Sequence, residues 1–164
     1  MKKSMGFSLL EAMVAVLIIA ILAAMALPSY LIKITREQIE KSIPLAAETA
    51  EPPIAIKWKL EQKFPESNQA ADLPDGTKIV NNYVKSVEIE NGAIHMTFGN
   101  RANERIKDKI LSIRPAVVSD SPVVPITWVC GNAEAPEKMT IQGANRTTID
   151  KQYLPSICRS QLKK

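Results

Sequence analysis

Aromatic side chains are scarce in this 164-residue chain, at 5% of its composition, and it holds a single histidine and only two cysteines. So few aromatics leave no platform for stacking a run of nucleobases. Cys130, Cys158 and His95 cannot fill a four-ligand zinc site by themselves. The formal net charge is +4, but Lys and Arg are interspersed with Asp and Glu, so there is no dense basic stripe of the kind that tracks phosphates. No Ser/His/Asp set, Gly-rich phosphate loop or metal-ligand spacing is present. Glu134, Glu137 and Asp150 are too dispersed for a calcium loop. Together these absences point away from an enzyme and call for no cofactor or metal.

Charge is missing most conspicuously between Glu11 and Lys33. The uncharged stretch from Ala12 to Ile32 would make a helix of about 30 Å, enough to cross a bilayer core. Val14, Val16, Leu17, Ile18, Ile19, Ile21 and Leu22 leave that helix no polar face, so it belongs in lipid or inside an assembly. Lys2 and Lys3 favour a cytoplasmic N-terminus, with the rest of the chain across the membrane. A plain anchor would account for this run. So would a secretory signal, since Ala24-Met25-Ala26 offers a cleavage pattern. Neither accounts for Glu11, because a carboxylate inside a lipid-embedded helix costs about 2.5–3.5 kcal/mol on insertion scales.

A cut between Gly6 and Phe7 would give Glu11 a purpose. Phe7 would then carry an α-ammonium four residues before the carboxylate. Between parallel helices staggered by about one turn, the ammonium of one can meet the carboxylate of the next. In a water-poor bundle the pair attracts strongly and an unpaired member is penalised, so the charge would set axial register during assembly.

The segment GFSLLEAMVAVLIIAILAAMALPSY resembles the N-terminus of type IV prepilins, the class III signal of pilins and pseudopilins. The resemblance implies a leader of residues 1–6, removed by a membrane-embedded prepilin peptidase that cuts after Gly6 and N-methylates Phe7. It places Glu11 at the fifth mature position and Pro28 where these helices commonly kink. Gly6 suits a subsite that must approach the backbone closely.

Residues 7–32 are thus expected to form the transmembrane and filament-core helix. Residues 33–63 should continue it as an amphipathic helix, with Ile32, Ile39, Ile43, Leu45 and Ala46 available to face a core. Pro44 and Pro52-Pro53 predict kinks or breaks near 44 and 52–53, resumption through Ile54, Ile56, Trp58 and Leu60, and a stop at Pro65. Residues 64–164 should form the head. There, alternation over Tyr83–Glu90, the turn pair Asn91-Gly92 and alternation over Ala93–Phe98 predict a β-hairpin. Ile110–Arg114 and Ile126–Cys130 read as third and fourth strands. The fold class is α+β: a long N-terminal helix against a four-stranded antiparallel sheet. Val80, Val84, Val87, Ile89, Ile94, Met96, Phe98, Leu111 and Ile113 are the expected core contributors from the sheet, with Trp58 and Trp128 as further anchors. Alternation sets His95 opposite Ile94 and Met96, on a solvated strand face.

If the head is exported, a disulfide is the default state of Cys130 and Cys158. ITWVCG and QYLPSICR resemble the disulfide-bounded C-terminal region of major type IVa pilins, which favours a pilin over a pseudopilin of type II secretion. Asn145-Arg146-Thr147 matches a glycosylation pattern, though short matches arise by chance. Arg159, Lys163 and Lys164 read as a small solvated basic tail.

The resemblance implies a structural subunit, not an enzyme. It would wait in the inner membrane with its head in the periplasm and then be drawn into a homo-oligomeric extracellular filament. Its partners would be the prepilin peptidase, motor ATPases, assembly platform and secretin. Adhesion, twitching motility or DNA uptake would follow, with DNA or a host surface as the ligand. A minor pilin serving as adhesin, initiator or DNA receptor is the alternative within the same fold.

Overall fold

A computed structural model describes residues 7–160, which fall into two compact units divided between Ile34 and Thr35. The first is entirely helical from Leu9 onward and forms most of helix α1 (Leu9–Glu40). Its apolar side chains face outward: Leu9, Ile19 and Met25 are 79%, 64% and 72% exposed. This helix is long and apolar enough to cross a membrane. Pro28 lies inside α1, where its ring removes one backbone donor without ending the helix. Gly6 and the rest of the leader lie outside the described residues, as do Lys163 and Lys164.

The second unit starts with the last turns of α1, followed by α2 (Ile43–Thr49) and α3 (Glu51–Glu61). The interruptions fall at Lys41-Ser42 and at Ala50, just ahead of the prolines, which occupy the first turns of α2 and α3. A proline is tolerated there because a first-turn N–H has no helical partner to lose. Ser42 is fully buried, and its hydroxyl donates to the Gln38 carbonyl at 2.8 Å. Helix α3 stops earlier than the position of Pro65 suggests, because Gln62 adopts a left-handed conformation with φ 53°. Ile39, Ala46, Ala50 and Ile54 form a fully buried stripe at helical spacing.

The sheet runs β1 (Val84–Glu90), β2 (Ala93–Phe98), β3 (Ile110–Val117) and β4 (Thr127–Cys130), antiparallel and in that order. A two-residue strand, β5 (Thr140–Ile141), adds a short pairing on β3 that the sequence reading lacked. The β1–β2 turn uses Asn91 and Gly92 with φ 49° and 80°, the paired positive values that a tight two-residue hairpin requires. An irregularity between Val84 and Ser86 shifts the alternation of β1. It lets Val84 and Val87, three residues apart, both be fully buried. The core face carries Val87, Ile89, Ile94, Met96, Leu111 and Ile113 in cross-strand register. Val80 does not join it, being 48% exposed in the segment that precedes β1. Trp58 and Trp128 are only half-buried, so neither anchors the core. Trp58 instead stacks on Phe64, ring centroids 4.6 Å apart, where the chain leaves α3.

The opposite face of the sheet is covered too, which corrects the expectation for His95. After β5 the chain crosses over β3. Gln142 N–H donates to the Pro115 carbonyl, and Thr148 N–H donates to the Ile110 carbonyl. Between them, Arg146 N–H donates to Ser112 Oγ at 2.8 Å, and the Thr147 hydroxyl accepts from Ser112 N–H. His95 lies beneath this strap, 2% exposed, with Nδ1 2.9 Å from Ser112 Oγ. Its Nε2 lies 3.4 Å from Glu90 Oε2, which also receives Arg146 Nη1 at 3.0 Å.

Burial lowers the His95 pKa from its ordinary 6.5, and the Arg146 and Arg114 charges push the same way against the opposing pull of Glu90. The folded state therefore holds His95 neutral, while the unfolded chain takes up its proton near the ordinary value. Its contribution to stability is complete above about pH 6.5 and is lost as pH falls below that toward the depressed folded value. Denaturant titration of the detergent-solubilised chain from pH 7.5 to 5 should show this loss, and His95→Gln should flatten the difference. Identical pH slopes for the two proteins would remove the role assigned to His95.

β1 is the outer strand of the sheet, and Asn68 seals part of its edge. Its side-chain Oδ1 accepts from Ile89 N–H at 2.7 Å, and its Nδ2 donates to the Val87 carbonyl at 2.9 Å. The amide thus imitates a neighbouring peptide group. A further donation to the Pro74 carbonyl fixes it in place. Asn68→Ala should cost about 1–3 kcal/mol, because these partly buried backbone groups lose their partner. A shift in the denaturation midpoint at unchanged slope measures it, and an unshifted midpoint refutes it.

Candidate assembly site

The segment Phe7-Ser8-Leu9-Leu10-Glu11 starts α1, and its geometry is a capping box read in one direction. Ser8 is the residue ahead of the first helical position. Its carbonyl accepts the Ala12 N–H at 3.1 Å, and its own N–H donates to Glu11 Oε2 at 3.1 Å. The Ser-x-x-Glu spacing was available in the sequence and announces this arrangement.

Glu11 is exposed, and with Phe7, Leu10, Val14, Ala15 and Ile18 it lines a shallow, otherwise apolar groove along the helix. A single backbone N–H satisfies only part of a carboxylate, which has about four acceptor directions. The group has acceptor capacity to spare and apolar side chains around it. Chemically the arrangement can accept further hydrogen bonds from a cationic donor. Phe7, 74% exposed, lies at the mouth of the same groove. Among the described residues no group of three or more His, Cys, Asp or Glu side chains is placed to hold a metal ion.

At the other end of the sequence, Cys130 and Cys158 are joined in a disulfide across a sequence separation of 28. Cys130 ends β4, and Cys158 closes a 3-10 turn over Ser156–Cys158. Asn132 N–H donates to the Cys158 carbonyl at 2.9 Å beside the bridge. Gly131, with φ 57°, passes so close that a Cβ there would meet that carbonyl at 2.8 Å. Arg159 is no part of a solvated tail. Its guanidinium donates to the carbonyls of Leu154, at 2.8 Å, and Gln152, at 3.4 Å. The Asn145 amide is exposed, but it donates to Asn132 Oδ1 while its own Oδ1 accepts from Thr147 N–H.

With this geometry in view, residues 45–159 match the family described as pilin (bacterial filament), and residues 1–27 match the prokaryotic N-terminal methylation motif. The chain is 34% identical over 160 residues to a type IV major pilin protein, PilE1, of Neisseria gonorrhoeae, covering 94% of this chain and 86% of that protein. It is 33% identical to a fimbrial protein of Neisseria meningitidis serogroup A, covering 94% and 93%. Fimbrial protein Q of Moraxella bovis is 29% identical over 97% of this chain and 99% of its own length.

Proposed function

The chain belongs to the bacterial pilin family as a subunit that assembles with other pilins into a filament, and from that premise we propose that it is a major type IVa pilin matured by a cut between Gly6 and Phe7. The precursor is anchored in the inner membrane by α1, with its head in the periplasm. Prepilin peptidase removes residues 1–6 and methylates Phe7. The platform, motor ATPases and secretin then move the subunit into the fibre, which serves adhesion, twitching motility or DNA uptake. Pro28 is the bend point of the core helix.

The observation that carries this reading is the held carboxylate. Glu11 sits near the start of a helix whose large apolar side chains from Leu9 to Leu31 are exposed, oriented by Ser8 N–H and with acceptor directions to spare. In the filament, lipid contacts of that helix give way to contacts with copies of itself. The α-ammonium of Phe7 on one subunit then meets the carboxylate of its neighbour and sets the axial step.

N-terminal sequencing and intact-mass measurement of sheared surface fibres provide the test. The expected first residue is N-methylated Phe7, with the mass of residues 1–6 absent. Fibres that retain those six residues, or a mature protein that starts at Leu27, would overturn the reading. Gly6→Val should leave full-length precursor in the membrane and no fibres, because a β-branched side chain blocks close approach of the peptidase to the backbone.

A further inference from the structure

The head exposes few large apolar side chains, and they are grouped. Ile56 and Leu60 are 57% and 78% exposed, one turn apart on the same side of α3. Lys59, between them, lines a groove with Pro122 and Val123 of the β3–β4 loop, and Val123 is 89% exposed. Among the remaining described residues of this unit, only Val80 and Ile157 are comparably uncovered large apolar groups.

Ile157, 63% exposed, lies in the 3-10 turn that Cys158 closes. Arg36 Nη2 donates to the Gln152 carbonyl at 2.9 Å, and Arg159 reaches the same carbonyl. These bonds tie the Cys158 turn to the first helical residues of this unit, whereas α3 contributes the last. From Arg36 to Trp58 the helical path covers on the order of 30 Å.

A filament of repeated copies needs a heterologous contact, in which one face of a subunit meets a different face of the next. We propose that the α3 face of one head, formed by Ile56, Leu60 and Val123, seats against the Ile157 face of a second copy's head, stacking heads along the fibre. The inference rests on the filament reading given above. The two faces are carried by different parts of the head, one by α3 and the β3–β4 loop and the other by the turn that Cys158 closes, so each subunit can use both at once and the stack can continue without closing. The occupant is a second copy because the family assembles by repetition, and a repeating contact leaves neither face uncovered except at the fibre ends.

Two measurements on full-length chain in intact fibres test this. The double variant Val123→Cys/Ile157→Cys, treated with a short bismaleimide, should give a ladder of dimers, trimers and larger species, while each single variant, with no cysteine facing its own, should remain monomeric. Both positions are highly exposed, so neither substitution disturbs the core. Independently, hydroxyl-radical oxidation of Leu60 and Ile157 in wild-type fibres should fall at least fivefold relative to detergent-dispersed subunits. Oxidation unchanged on assembly, whatever the variants do, overturns the stacking contact while leaving the filament subunit intact. Fibres that lack this chain altogether sink both readings.

Discussion

Glu11→Ala is expected to be processed normally and to reduce fibre yield by about a hundredfold or more. In the fibre the missing carboxylate leaves the Phe7 ammonium uncompensated among apolar helices, a loss of about 3–5 kcal/mol for each subunit added. Within a single chain the change is small. It frees the Ser8 N–H, which is one of the unpaired donors at any helix start and finds another partner at the membrane surface. Two roles for Glu11 can therefore be separated. Glu11→Gln keeps an oxygen that can accept from Ser8 N–H but has no charge. If inter-subunit pairing dominates, the Gln variant fails like the Ala variant; if capping dominates, it assembles like wild type. Fibres sheared from cells and quantified against the membrane precursor pool give the answer. Undiminished yield from Glu11→Ala would remove the register role.

Loss of the bridge between Cys130 and Cys158 should destabilise the head by about 3–4 kcal/mol, from loop closure across 28 positions. Cys158 is fully buried and Cys130 nearly so, so the double serine variant also buries two hydroxyls in an apolar setting, and a double alanine variant serves as control. The cost falls on a particular part of the structure. The C-terminal segment meets β4 through the bridge, the Asn132–Cys158 hydrogen bond and little other regular pairing. Its other ties are the hydrogen bonds from Arg36 to the Gln152 carbonyl and from Arg105 to the Tyr153 hydroxyl, together with the buried side chains of Tyr153 and Leu154. Denaturant unfolding in detergent with and without reductant measures the loss, and protease should cut the reduced head first between Ala133 and Ile157. A midpoint insensitive to reductant would refute the estimate.

The hairpin was legible in the sequence because its information is local. Asn91-Gly92 demanded a tight turn, and period-two alternation told the strands where to lie. The apolar run of α1 and the Ser-x-x-Glu spacing at its start are local in the same way. What escaped was set by distant segments. His95 alternates with core residues and would be solvated in a sheet with one open face. It is buried because polar residues 143–148, which carry no periodicity of their own, lie across Ser112 from more than thirty positions away. The prolines predict interruptions at their own positions, whereas the breaks at Lys41-Ser42 and Ala50 fall just ahead of them. Pro44 and Pro52-Pro53 begin new helices and do not sit inside broken ones. The size of the tryptophans suggests core positions, yet half-burial suits their amphipathic rings as well as the core does.

The Asn68 amide on the rim of β1 bears on how such a subunit tolerates crowding. Fibres bring many identical sheets into close company, and a bare strand rim recruits the nearest matching strand, the route by which amyloid grows. By occupying the Val87 carbonyl and the Ile89 N–H from its own chain, the protein denies that route a starting point. Growth is then left to helices and side-chain faces, whose contacts can be undone.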